Sequence, residues 1–528
     1  MRTSFLGNGR TSSTAQPFPL DALALDHAVA LPLHRQLYDQ LRALILRRTL
    51  APLTALPSTR AMAVDLGVAR NTVITAYEQL AAEGYLTASQ GARACVADLP
   101  RQPVPMRTTH PADPLAGLSE RGRAMVDQPR QASFPGHAAF HPGTPDIQHF
   151  PFSIWGRLLL DRVRPGGEDL FGYHYIAGHP GLRAAIAGYL GASRGVNCDP
   201  EQIIVTTGAQ AALDLLARLL LDPGDTVWME EPGYLGAQSA FLAAGARLHP
   251  LHVGNDGWRL DDAIPAARLV YLTPSCQCPL GLTMRVEQRL KVLEIAQRIG
   301  AWVIEDDFDS EYRFGGKPIP AMQGTDATGR VIYVGTFAKT LFPSLRIGFM
   351  VMPAGLAPRV KQAINTTGQF APLTLQATLA EFIQCGHFAR HLRRMRRLYA
   401  RRRGLFMHHC GAQLADWLTP LPGNAGIQTA WLLDGGWNDQ ALAEAAKLRQ
   451  VNVAPLSVHY RHGAPRNGVI LGYAALSESM MMAGLRELRD VLASRRPCDR
   501  PGTPAGATAP AGQNPYATRP SLPRSRLR

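Results

Sequence analysis

Two different periods organise the chain. Between residues 31 and 97 apolar positions recur at helical spacing, with Leu33, Leu37, Leu41, Leu44 and Ile45 marking a first helix. Pro57-Ser58 opens a short second helix carrying Met62 and Leu66, with Ser58 as its N-cap. Gly67-Val68-Ala69 reads as a tight turn. A third helix starts at about Arg70, turns Val73, Ala76, Tyr77 and Leu80 inward, and ends at Gly84 as a C-terminal cap. Tyr85-Leu86-Thr87 and Cys95-Val96, either side of Gly91, pattern as a two-stranded wing. From 138 to 494 the period changes, and short β-branched runs alternate with amphipathic helical stretches. Ile203-Ile204-Val205, Trp302-Val303-Ile304 and Val331-Ile332-Tyr333-Val334 are three of the runs. Such interleaving predicts an α/β domain with a largely parallel sheet.

Three segments show neither period. Residues 1–30 form a polar N-terminal tail, and 98–137 a linker punctuated by Pro100, Pro103, Pro105, Pro111, Pro114, Pro129 and Pro135. Residues 495–528, rich in Pro, Gly, Ala and Arg, read as a disordered basic tail.

Composition narrows the class. Of 528 residues 46% are apolar, yet no run reaches the roughly 20 residues needed to span a bilayer. The N-terminus has no apolar secretory core, and seven cysteines lie scattered without a disulfide framework. A reducing, cytoplasmic setting is expected. The formal net charge is +14, of which Arg495 to Arg528 carries +6 and His387 to Arg403 carries +8. A solvated tail and a solvated helix face explain both, so charge alone does not argue for DNA. The Arg-rich helix, with His387, His391 and Arg393 to Arg397, is read as structural and solvated, and phosphate contact is its alternative.

Candidate chemistry lies in two places. A short helix, a glycine turn and a second helix are the parts of a helix-turn-helix. Its third helix opens on Arg70-Asn71-Thr72, a guanidinium, an amide and a hydroxyl suited to base edges and phosphates. A structural helical hairpin with a solvated arginine fits the same pattern. In the large segment Lys339, one of only five lysines, stands just past an apolar strand, where burial would make it a ready partner for an aldehyde cofactor. Arg346, seven residues on, can pair with a phosphate. Glu305-Asp306-Asp307 follows the strand ending at Ile304, and a carboxylate there can hold a pyridine nitrogen protonated. Thr207-Gly208-Ala209-Gln210 joins a strand to a helix and offers backbone N–H groups to a phosphate. Cys276-Gln277-Cys278 has no nearby His or Cys partners, so no metal site is expected.

The run Leu56-Pro-Ser-Thr-Arg60…Leu66-Gly-Val-Ala-Arg-Asn-Thr-Val73…Glu83-Gly-Tyr-Leu86 resembles the winged-helix domain of GntR-type regulators. That resemblance implies DNA contacts from Arg60, Arg70, Asn71 and Thr72. Ala69 replaces a capping serine, Leu53 replaces a glycine, and the wing reads Gly91-Ala92-Arg93-Ala94, whose Arg93 can reach a minor groove.

The segments His141-Pro-Gly-Thr-Pro-Asp146, Glu231-Pro-Gly-Tyr234, Thr273-Pro-Ser-Cys-Gln-Cys-Pro-Leu-Gly281, Glu305-Asp-Asp-Phe-Asp-Ser-Glu-Tyr312 and Gly335-Thr-Phe-Ala-Lys339 resemble fold-type I aminotransferases. With the N-terminal unit, the chain resembles MocR/GabR-type regulators over about 30–490. The resemblance implies pyridoxal 5'-phosphate, with Lys339 forming the internal aldimine, Asp306 on the pyridine nitrogen and Tyr234 stacked on the ring. It places Gly208, Ala209, Thr336 and Arg346 on the phosphate. Tyr173 would reach the phosphate of a neighbouring subunit, which implies a homodimer. Cys278 and Phe308 stand where relatives carry phenols near the ring. Val469-Ile470-Leu471-Gly472 lacks the arginine that clamps a substrate carboxylate, and Arg461 and Arg466 are the nearby substitutes.

The expected fold is therefore α/β, a winged helix-turn-helix followed by an aminotransferase-like domain with a smaller C-terminal subdomain. The expected function is a transcriptional regulator that binds promoter DNA and senses an amine, amino-acid-like or vitamin B6 effector. The alternative is an active aminotransferase with an ancillary DNA-binding head.

Overall fold

The computed structural model describes residues 18, 20–87, 93–100, 117–126, 138–164, 168–172, 174–260, 265–315, 319–434 and 436–494. The chain falls into two compact units, residues 1–116 and 117–528. In the first, helices α1 (Leu33–Leu46), α2 (Thr59–Asp65) and α3 (Arg70–Ala82) precede strands β1 (Leu86–Thr87) and β2 (Cys95–Val96), which pair antiparallel. Leu37, Leu41, Ile45, Met62, Val73, Ala76, Leu80, Leu86 and Val96 close into one core. The Ser58 hydroxyl caps α2, accepting from the Ala61 N–H at 3.2 Å. No side chain caps α3, because Ala69 offers only a methyl. Leu53 adopts φ +65°, which explains why a glycine suits that place, since the left-handed region costs other residues about 1–2 kcal/mol. The wing tip, with Gly91 and Ala92, lies outside the described residues.

The second unit is built on an eight-stranded sheet. Its strands are β3 (Ile203–Thr206), β4 (Thr226–Glu231), β5 (Arg247–Gly254), β6 (Gly257–Trp258), β7 (Leu269–Leu272), β8 (Trp302–Asp307), β9 (Val331–Thr336) and β10 (Gly348–Val351). They lie in the order β3-β10-β9-β8-β7-β4-β5-β6. The stretch from β9 to β5 is parallel, while β10 runs antiparallel to both neighbours and β6 to β5. Alternate residues enter different cores: Ile203 and Val205 one, Ile204, Ile332 and Val334 another, Val270 and Leu272 a third. Both faces are thus covered, which is why these strands read as continuous apolar runs. A second, all-antiparallel sheet of β11 (Leu418–Pro420), β12 (Gln428–Leu433), β13 (Ala454–Pro455) and β14 (Gly468–Gly472) has the order β11-β12-β14-β13.

Two local differences from the sequence reading have physical causes. Helix α4 (Glu120–Val126) lies within the proline-rich stretch and runs beside the helix Leu235–Ala243. Seven residues with two large apolar side chains are too few to show a period. Strand β8 extends past Ile304 through Asp307, so its three carboxylates are inside the sheet and buried. Each finds its partners on other segments of the chain. Glu305 accepts from the Met322 and Gln323 N–H groups at 2.8 and 2.9 Å. Asp307 accepts from Arg194 Nε at 2.8 Å and from the Tyr333 hydroxyl at 2.6 Å. Asp306 accepts from the Tyr271 hydroxyl at 2.7 Å.

The Arg-rich helix, His387–Gln413, is anchored inside and wet outside. Arg402 is buried against Asp146 at 2.6 Å, and His391 Nε2 meets the Thr340 carbonyl at 3.0 Å. Arg393, Arg394, Arg396 and Arg397 are exposed.

Candidate functional site

In the N-terminal unit the N-terminus of α3 presents Arg70 and Asn71 to solvent, with Thr72 half-buried behind them. Arg60 on α2 and Arg93 before β2 are exposed as well. Arg70 Nε donates to Thr59 Oγ1 at 3.4 Å, tying the start of α3 to the start of α2. The apolar side of α3 (Val73, Ala76, Tyr77, Leu80) is spent on the core, so the polar start of the helix is left for a partner.

In the large unit a cavity of about 240 Å³ opens where β8 and β9 end and the β3-to-helix junction turns. This is the edge at which α/β sheets bind ligands. Gly208, Ala209, Tyr234, Cys278, Asp306, Phe308, Thr336, Lys339 and Arg346 line it together. Tyr173 lies outside the described residues. Gly143, Gln210, Ala338, Pro343 and Gln428 complete the wall. Gly143, Gln210 and Ala338 sit inside motifs quoted above, whereas Gln428 opens a strand that carries no motif and gave no signal.

Lys339 Nζ donates to the Gly143 carbonyl at 2.6 Å. A Cβ on Gly143 would stand 2.7 Å from that nitrogen, so glycine is what admits the lysine. Burial lowers the Lys339 pKa from its ordinary value, and the nearby Asp309 carboxyl partly restores it. Asp306 is pushed up to about 7 by burial, against the Tyr271 hydrogen bond that lowers it, while Asp307 adds to the rise. Its second oxygen, Oδ1, is buried without a partner. Such an oxygen is costly unless a cation or donor meets it.

At the helix Ala209–Leu220, Gly208 takes φ +109° as the residue before the first turn, and its Cα faces the Arg346 guanidinium. Arg346 itself holds φ +51°, a conformation uncommon outside glycine. Backbone N–H groups, a helix N-terminus and a guanidinium thus converge on one anion-binding corner. Gly348 of β10 passes so close that a Cβ there would sit 2.7 Å from the Gly208 carbonyl carbon.

The loop bearing Cys278 is held from below. Gln277 Nε2 donates to the Pro232 carbonyl at 2.7 Å, its Oε1 accepts from Leu280 N–H at 3.0 Å, and Cys278 N–H donates to Thr273 Oγ1 at 3.0 Å. Arg194 Nη2 donates to Ser275 Oγ at 2.6 Å. Burial raises the Cys278 thiol pKa well above normal, so it faces the cavity as a neutral thiol. Tyr234 is the one phenol of the described lining, with its hydroxyl 3.4 Å from Gln210 Oε1. Arg461 and Arg466, the candidate substitutes for a carboxylate clamp, do not line the cavity.

The comparisons divide the chain the same way. Residues 33–96 match the bacterial regulatory proteins of the gntR family, and 163–485 match aminotransferase class I and II. The probable rhizopine catabolism regulatory protein MocR of Rhizobium meliloti is 54% identical over 468 residues, 88% of this chain and 95% of its own length. The chain belongs to the MocR type of transcriptional regulators. The HTH-type transcriptional regulator YdeL of Bacillus subtilis is 33% identical over 88% of this chain and 98% of its own. Among solved structures, kynurenine aminotransferase of Pyrococcus horikoshii, in complex with PMP, superposes with TM-score 0.62 at 27% identity, covering 67% of this chain and 89% of its own.

A MocR-type regulator of this architecture joins a gntR-family DNA-binding domain to an aminotransferase-like domain whose cofactor is pyridoxal phosphate. The observed residues fit that group. The unpartnered Asp306 Oδ1 suits a protonated ring nitrogen, the Gly208–Arg346 corner suits a phosphate, and Lys339 suits an aldehyde carbon. Among the described residues no helix is long and apolar enough to cross a membrane.

Proposed function

We propose that this MocR-type regulator holds pyridoxal phosphate in the 240 Å³ cavity and uses it to sense an amine, with promoter affinity as the output. The observation that carries the reading is a half-buried lysine, held by one carbonyl, lining the same cavity as a buried carboxylate oxygen that has no partner. When bound, the cofactor supplies an aldehyde carbon that condenses with primary amines. Lys339 would hold the group at that carbon. Asp306, oriented by Tyr271, keeps the ring nitrogen protonated. Tyr234, Cys278 and Phe308 would line the ring's part of the cavity, and Gly208, Ala209, Thr336 and Arg346 would hold the phosphate. Arg60, Arg70, Asn71 and Thr72 contact the operator, and Arg93 its minor groove.

The protein acts in the cytoplasm as a homodimer, to which Tyr173 contributes across the interface. Tyr175 and Phe370, exposed rings that line a second surface cavity with Gly172 and His174, support such self-association.

The test is spectroscopic. The purified protein should show a visible cofactor band that borohydride bleaches and that Lys339→Ala lacks. An added amine should shift the band and change operator affinity in the native protein, and change neither in Lys339→Ala. Should Lys339→Ala keep a full amine response on DNA, the sensing chemistry is wrong. Sustained 2-oxo acid production from an amine donor would favour a working aminotransferase instead.

A further inference from the structure

The helix His387–Gln413 is rich in arginine and contains no acidic residue. Its arginines divide by direction. Arg402 turns inward onto Asp146 at 2.6 Å. Arg396 Nε and Arg403 Nη2 donate to the Glu311 and Gly423 carbonyls at 2.7 and 2.6 Å. Arg390, Arg393, Arg394 and Arg397 are exposed. At about 3.6 residues per turn these four fall within roughly 100° of the helix circumference, opposite the buried Phe388, Leu392, Met395 and Tyr399. They form one stripe, about 10 Å long at roughly 1.5 Å per residue.

The stripe differs from other charged helix faces in what it lacks. Three other helices set a carboxylate beside an exposed arginine: Arg35 has Asp39 at 3.3 Å, Arg218 has Asp214 at 2.8 Å and Arg489 has Asp490 at 3.5 Å. Among the described residues none of Arg390, Arg393, Arg394 and Arg397 forms an ion pair, and Arg401, one turn on, reaches only Glu478 at 3.8 Å. Arg390 Nη1 meets the His387 ring at 2.9 Å. Like charges three and four residues apart on a helix repel each other. The core beneath therefore holds this row against its own electrostatics, and an anion laid along it would relieve the strain. A rigid row of fork-shaped donors matches a chain of phosphates better than it matches a single ion. DNA carries one negative charge per about 1.7 Å of its axis, so the row would face several phosphates at once. The gntR-family unit brings a duplex to this same chain, which raises the local concentration of phosphate for any second contact.

We propose that Arg390, Arg393, Arg394 and Arg397 are a second DNA surface, gripping the phosphate backbone beside the operator without reading its bases. The inner arginines keep their structural role. This goes beyond amine sensing and rests only on DNA binding by the N-terminal unit.

The test compares two duplexes that carry one site, selected by the native protein from random-sequence DNA. One is trimmed to the protected bases, and the other keeps two further helical turns on each side. Arg390→Gln, Arg393→Gln, Arg394→Gln and Arg397→Gln are combined in one variant, glutamine being a good helix former. On the long duplex its affinity should fall at least tenfold. The slope of log Kd against log salt should flatten by about 3 to 4, at roughly 0.9 per lost phosphate contact. The trimmed duplex should be bound as the native protein binds it. Arg393→Gln with Arg397→Gln alone should give about half the flattening, so the result does not hang on the folding of one variant. Lysine at all four positions keeps the charge and should keep the slope.

An unaltered slope on the long duplex overturns the proposal, and so does an equal loss in the lysine variant. Native protein that binds both duplexes with one affinity and one slope overturns it as well. Asn71→Ala should weaken both duplexes alike, leaving the difference in slope between them. Failure of the native protein to select any sequence fails the premise of DNA binding, a result distinct from these.

Discussion

The two units solve opposite problems. The N-terminal unit keeps Arg60, Arg70 and Asn71 outside and asks its core only to hold a helix steady. The large unit buries Asp306 and half-buries Lys339, and must therefore find partners for them. Lys339 is answered by Gly143, 196 residues away, and Asp306 by Tyr271, 35 residues away. An exposed polar group is satisfied by water wherever it stands, so a local motif suffices to specify it. A buried one depends on distant chain, which makes its environment a property of the whole fold.

That contrast can be broken in several ways. Leu80→Ala removes a fully buried leucine from the small core and should cost about 2–5 kcal/mol. Denaturation followed by far-UV signal and by the cofactor band should show an early transition for the N-terminal unit and an unmoved band. A single joint transition would mean that the units are not independent.

Asp306→Asn should weaken cofactor binding by about 1.5–3 kcal/mol, seen by absorbance titration, and leave operator affinity unchanged. It also has a pH signature. The folded carboxyl is raised from 3.8 to about 7, so its contribution to stability is full below about pH 4 and is lost as pH rises through 7. The melting temperature of the cofactor-free protein should fall less over that window in Asp306→Asn, the remaining slope including Glu230, also raised to about 7 by burial. An unchanged slope would sink the assignment.

Asn71→Ala tests the other unit. It should lower affinity for the specific operator by about 1–3 kcal/mol while the visible spectrum stays as it was. A change in the spectrum would show the separation of roles to be incomplete. The smallest effect is expected at Leu53→Gly, which relieves φ +65° and should raise the stability of the N-terminal unit by about 1 kcal/mol in thermal melts.

Legibility followed the same divide. Helices α1 to α3 and the wing strands were readable because their periods are short and the caps are local. Lys339, Asp306, Tyr234 and Arg346 were readable as a set because each stands in its own motif in a fixed order along the chain. Gln428 was not, since an amide at the start of an apolar strand looks like any strand edge until β12 is laid beside the loop of Gly143. Helix α4 was hidden by brevity. The missing phenols are legible at Cys278 and Phe308, whereas Tyr271 is not, because a tyrosine in an apolar strand reads as core until its hydroxyl is seen on Asp306.

The sequence by itself determined the two-part architecture, the class of chemistry and the residues that carry it, because those follow from periodicity and from side-chain type at fixed spacing. Only the tertiary structure decided how far each charge is buried, which carboxylate oxygen lacks a partner, and which arginines of the helix His387–Gln413 face the core and which face water. Those are facts about what packs beside each group, and chain order holds no record of distance through space.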